Sequence, residues 1–187
     1  ELINQGVPLS GVSTMGSDVP HLIAQICDHF NWFGPSIQTG KLATHKFDMK
    51  KRFSEAGIPV PNYTLISFKD DIKLYWEKWK CKAVVIKPTD RAGSRGVSII
   101  HNEETLSDAY YNAVNNSING QILLEEYIPG DQISTESILW GDQAMTPGFA
   151  DRVYDNMEGY WPQVLENGGW IPSSCPEDLT LKVKKLV

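Results

Sequence analysis

Three cysteines in 187 residues, Cys27, Cys81 and Cys175, form no Cys-x-x-Cys pair, and their number is odd. That argues against a disulfide scaffold or a zinc site and points to reduced thiols in a cytoplasmic protein. Long apolar runs are also missing: Ala83-Val84-Val85-Ile86 is strand-sized, far short of a membrane span. There is no Lys/Arg run, and 17 basic against 23 acidic residues give a net charge of −6, a poor basis for holding nucleic acid by its phosphates. No basic segment followed by an apolar core opens the chain, so no signal peptide is visible. GxxxxGK[ST] and GxGxxG are absent, which excludes a P-loop and a dinucleotide fingerprint. What is present, 41% hydrophobic and 21% charged residues without low complexity, is the composition of a packed globular protein.

The pattern along the chain mixes helix and strand. Pro8–Ser13 reads as a short strand, and Asp18 as the cap of a helix over 19–31 with Leu22, Ile23, Ile26 and Phe30 inward. A second helix is expected from Gly40 to Ala56, ended by Gly57. Tyr63–Ile66 reads as a strand, and Asp70–Trp79 as a helix with Ile72, Tyr75, Trp76 and Trp79 inward. Strands Ala83–Lys87 and Val97–His101 flank a loop; a helix over 103–116 and a strand Gln121–Tyr127 follow. Gly141-Asp142 joins Ile133–Trp140 to Ala144–Val153 as a hairpin, and 155–175 reads as loop. The ends read as cut. Residues 1–6 resemble a last helical turn capped by Gly6. Ser174-Cys175-Pro176-Glu177 has the form of a capping box, opening a helical pattern (Leu179, Val183, Leu186, Val187) that is still running at the last residue. The expectation is an interior piece of a longer protein.

Three features carry chemistry. Lys87 ends an apolar strand and enters Pro88-Thr89-Asp90-Arg91-Ala92-Gly93-Ser94-Arg95-Gly96, where glycines let backbone N–H groups approach an anion and Lys87 and Arg95 supply charge. By itself this is equally a surface hairpin. Leu123-Leu124-Glu125-Glu126-Tyr127-Ile128-Pro129-Gly130 is a strand running into two carboxylates and an apolar pair, a form that suits a purine edge or an ordinary edge strand. Lys46 lies early on the helix 40–56, among the solvated lysines Lys41, Lys50 and Lys51, and could reach a phosphate. His21, His29, His45 and His101 show no metal spacing.

Helix lysine, Gly-Ile-Pro-Val-Pro, strand lysine, Gly-rich hairpin, helix and Leu-Glu-Glu-Tyr-Ile-Pro-Gly follow in an order that resembles the ATP-grasp superfamily over residues 40–140. The pattern is similar to the branch of biotin carboxylase, carbamoyl phosphate synthetase and the L-amino-acid ligases. The resemblance implies an α+β ATP-grasp fold over residues 39–187, incomplete, preceded at 1–38 by the end of a Rossmann-like α/β domain. It implies an ATP-dependent carboxylate–amine ligase working through an acyl phosphate. A nucleotide-binding regulatory module and a bicarbonate-using carboxylase or carbamoyl phosphate synthetase-type enzyme are the alternatives. Lys46 and Lys87 match the lysines on the ATP phosphates. Gly93, Ser94, Arg95 and Gly96 match the closing loop, with Lys87 and Arg95 as the catalytic pair. Glu125, Glu126, Tyr127 and Ile128 match the adenine hinge. Gln132 stands where the family carries an acidic residue on the ribose, with Glu136 further along the same strand face. The resemblance places the Mg²⁺ ligands beyond Val187. It implies small-molecule carboxylate and amine substrates, a possible homo-oligomer, and neither nucleic acid nor membrane as a partner.

Overall fold

The computed structural model describes residues 5–14, 17–160 and 162–187. The helical turn expected before Gly6 falls largely on residues 1–4, outside the described residues, although Gly6 does take the left-handed conformation (φ 72°). Residues 7–14 form no strand and have no ladder partner among the described residues. Alternation alone does not make a strand, because its backbone groups need a neighbour to bond.

Helix α1 spans Pro20–Phe30 and buries Ala24 and Cys27, while Leu22 and Phe30 stay exposed. Its cap is Val19 and not Asp18, because Pro20 takes the first helical position. The single helix expected over 40–56 is two, α2 at Ile37–Thr44 and α3 at Lys46–Glu55. The break has a tertiary cause. The Lys46 N–H, which in a continuous helix would bond four residues back, donates instead to Thr89 O at 2.9 Å. His45 adopts an extended backbone between the two helices. α2 packs on α1 at Gly40, where a Cβ would stand 2.9 Å from Ala24 Cβ and from Pro20 O.

Four antiparallel strands form the first sheet in the order β1-β4-β2-β3: β1 Tyr63–Ile66, β2 Val84–Pro88, β3 Ser98–Ile100 and β4 Ile122–Glu126. Helices α4 (Asp70–Trp79) and α5 (Leu106–Asn116) cover one face of it. Ile66, Val84, Ile86, Ile100, Ile122 and Leu124 point into that core with Ile72, Ala109 and Ala113. Because side chains alternate, Val85, Lys87, Ile99, Leu123 and Glu125 point to the opposite face.

The second sheet is a β5 (Ile133–Trp140) and β6 (Gln143–Val153) hairpin extended by β7 (Gly168–Trp170). The pairing slips by one residue between Glu136 and Ile138, opposite Thr146-Pro147, where proline removes a ladder donor. α6 spans Glu177–Lys184 with Pro176 as its cap. The expected capping box does not form, because the Ser174 N–H and hydroxyl both donate to Asp151.

Candidate nucleotide cleft

The uncovered face of the first sheet carries the charged residues. Val85 of β2 is paired with Glu125 of β4, and Lys87 with Leu123, so Lys87 and Glu125 are diagonal neighbours on that face. Lys87 Nζ lies 2.6 Å from Glu125 Oε2. From the other side, Lys50 Nζ on α3 lies 3.1 Å from Glu125 Oε1. The side chains are 6% exposed for Glu125, 16% for Lys50 and 19% for Lys87, so the cluster is largely withdrawn from water. α3 also reaches this face through Phe47, whose ring centroid is 5.6 Å from that of Tyr63.

Lys46 opens α3, and its ammonium donates to Arg91 O. Burial, and next the charge of Lys87, pushes the Lys46 ammonium below its ordinary value; Asp90, Glu125 and Asp18 oppose this in part. A buried ammonium set beside a second lysine makes a site that an anion stabilises. The backbone after Lys87 is held rigidly. Asp90 Oδ2 accepts from the Ile118 and Asn119 N–H groups at 3.0 and 2.6 Å, and Arg91 Nε donates to Asn116 O.

Beyond β4 the chain turns between the sheets. Glu126 Oε2 accepts from Asn62 Nδ2 at 2.7 Å, and the Tyr127 N–H donates to Ala83 O at 3.1 Å. Tyr127, Ile128 and Gln132 then line a cleft of about 490 Å³ together with Ile99, Arg152 and Met157. Ile99 shares its sheet face with Val85 and Lys87, so the cleft and the lysine cluster are neighbours on one surface. Arg152 is tied to Glu166 by an ion pair, and its N–H donates to Gln132 O at 2.8 Å. Glu136 does not line this cleft; it pairs with Gly148 on the hairpin.

Among the expected site residues, Lys46, Lys87 and Glu125 come together, and Tyr127, Ile128 and Gln132 come together beside them. The loop is turned elsewhere. Gly93, Ser94, Arg95 and Gly96 line a separate depression of about 330 Å³ with Asn112, Gln163 and Val164, and Arg95 Nε donates back to Ala92 O at 3.1 Å. Val164 borders both spaces. Sequence reasoning left Lys50 among the solvated lysines; its helical spacing of four from Lys46 is the signal that puts both on one side of α3. Met157 carried no such signal, because its place in the cleft depends on how the second sheet sits against the first.

Residues 44–160 match the family described as phosphoribosylglycinamide synthetase, ATP-grasp (A) domain. A D-alanine–D-alanine ligase of Desulforamulus reducens is 24% identical over 165 residues, covering 82% of this chain and 51% of that protein. The biotin carboxylase domain of Hydrogenobacter thermophilus 2-oxoglutarate carboxylase, solved with MgADP and bicarbonate, superposes with a TM-score of 0.77 at 22% identity, over 99% of this chain and 42% of that one. An L-amino acid ligase from Bacillus licheniformis gives 0.77 at 17% identity, over 98% and 42%. The chain thus spans about half or less of the length of the curated relatives it matches. With the fold, the family match and the solved neighbours in agreement, the chain belongs to the ATP-grasp (A) domain family of phosphoribosylglycinamide synthetase.

Proposed function

We propose that the protein is an ATP-dependent carboxylate–amine ligase. The observation that carries this reading is the shared sheet face: Lys87, with Lys46 beside it, lies on the same face as Ile99, which lines the cleft together with Tyr127, Ile128 and Gln132. An adenine base fits between apolar side chains at the hinge, with Gln132 available to the ribose hydroxyls and the phosphates directed at Lys46 and Lys87. Lys87 and Arg95 are the catalytic pair in this proposal, and Gly93–Gly96 would close over the phosphates by moving from the position described above.

In the proposed reaction a carboxylate oxygen attacks the γ-phosphorus and the bond to the β–γ bridging oxygen breaks, giving an acyl phosphate and ADP. The amine nitrogen then attacks the acyl carbon, the bond to the phosphate oxygen breaks, and the amine gives up a proton. The lysines neutralise charge on the transferring group and hold it in line, which is most of what such a reaction asks of a protein. Among the described residues no three His, Cys, Asp or Glu side chains converge as a metal site. Magnesium use, with ligands beyond Val187, belongs to the proposal, as do a homo-oligomer and the division of the chain at residue 38. A cytoplasmic setting rests on three free thiols; no described helix is long and apolar enough to cross a membrane.

The test supplies ATP, an amino acid and hydroxylamine to the protein in its natural length. ADP release that depends on the carboxylate, with an acyl hydroxamate trapped, is expected. ADP release driven by bicarbonate alone points to the carboxylase-type reading, and nucleotide binding without turnover to a regulatory module.

A further inference from the structure

We propose that Lys50 is a positioning residue for nucleotide binding: it holds the Glu125 carboxylate when Lys87 leaves it for a phosphate. The inference rests on the nucleotide reading above and adds to it a residue that makes no contact with the nucleotide.

Glu125 presents its two oxygens to two different ammonium groups. Oε2 meets Lys87 at 2.6 Å and Oε1 meets Lys50 at 3.1 Å, both as ion pairs. Oε1 forms no hydrogen bond, so Lys50 holds it by charge, off the hydrogen-bonding direction. As the structure stands, Lys87 is therefore neutralised by Glu125. A phosphate oxygen arriving at Lys87 competes with that carboxylate. Glu125 is too deeply buried to be left without a counter-charge, because an ionised carboxylate withdrawn from water is strongly disfavoured unless paired.

Lys50 supplies that counter-charge. It sits one helical turn beyond Lys46, so a single short helix presents one ammonium toward the phosphate side and another toward the carboxylate. With Lys50 in place, Lys87 can move without stranding Glu125. Without it, Lys87 is the one ion-pair partner left to a buried carboxylate among the described residues and is withheld from the nucleotide.

The experiment titrates ATP, and separately adenosine, into the protein in its natural length by calorimetry. Lys50→Met is expected to raise the Kd for ATP about tenfold or more while leaving adenosine within about twofold, since adenosine has no phosphate to compete for Lys87. Lys50→Arg keeps the charge and is expected to behave like the unaltered protein. The double variant Lys50→Met with Glu125→Gln is read against Glu125→Gln alone, and the two are expected to bind ATP alike, because a neutral amide no longer withholds Lys87. If Lys50→Met alone does not fold, the Glu125→Gln background serves: there the further loss of Lys50 is expected to leave ATP affinity within about twofold. An unchanged ATP affinity in Lys50→Met, an equal loss for ATP and adenosine, or a tenfold loss on removing Lys50 in the Glu125→Gln background overturns the inference alone. Failure of the unaltered protein to bind ATP overturns the nucleotide reading with it.

Discussion

The two sheets of this chain carry similar apolar side chains and treat them differently. In the first, Ile122, Leu123 and Leu124 of β4 are fully buried, because α4 and α5 lie over one face and α3 reaches the other. In the second, Ile138, Trp140 and Met145 stay exposed, and Leu139 is 65% exposed. Trp140 does meet one ring there, that of Phe33 at 4.8 Å. A strand's sequence makes it ready for burial, and the covering layer decides whether burial happens. The face that α3 reaches shows a third outcome: beside the buried Leu123, an ionic cluster of Lys50, Lys87 and Glu125 fills part of the space a core would take.

Truncation in the first sheet is expected to be costly. Leu124→Ala should lower stability by about 2–5 kcal/mol in urea unfolding. A loss under about 1 kcal/mol would mean that the two sheets are not as different as their burial indicates. Next comes the turn that closes the hairpin between β2 and β3. Gly96 has φ 72°, and a Cβ there would stand 2.8 Å from Asn116 Cβ and Pro88 Cγ. Gly96→Ala is expected to lower stability by about 1–3 kcal/mol by the same measurement, through backbone strain and that overlap together.

The second sheet has a smaller, pH-dependent tie. The Ser173 hydroxyl, then the Ser174 N–H and hydroxyl, hold the Asp151 carboxyl below its ordinary value. A lowered folded-state value means that this contribution is fully present above the ordinary aspartate range and is lost as pH falls through the lowered value. Asp151→Asn should therefore flatten the acid-side fall of Tm, with its largest deficit near neutral pH; parallel curves for the two proteins would contradict it. The smallest effect is expected from Leu139→Ala, within about 0.5 kcal/mol, since the side chain it removes is already in water.

Much of this was legible in the sequence for a local reason. β1, α4 and β5 fall on the expected residues, because their periodicity and flanking turns agree with the packing they find. The misses are tertiary. The break at His45 follows from a hydrogen bond to Thr89 across the fold, and the unformed capping box from Asp151 taking Ser174. β7 is three residues, two of them glycine, with no alternation to read. In the site, the order along the chain singled out Lys46, Lys87 and Glu125, which the fold does bring together. Lys50 was not singled out, because its partner Glu125 is 75 positions away and only the placement of α3 against the sheet brings the two together.

The central claim is that Lys87 and its neighbours form a phosphate site continuous with the hinge cleft. Calorimetric titration of ATP into the unaltered protein and into Lys87→Ala tests it most directly. The account predicts binding by the unaltered protein and a Kd raised about 10- to 100-fold in the variant, the loss of one charge-assisted contact. Equal affinity in the two proteins, or no binding in either, would contradict it.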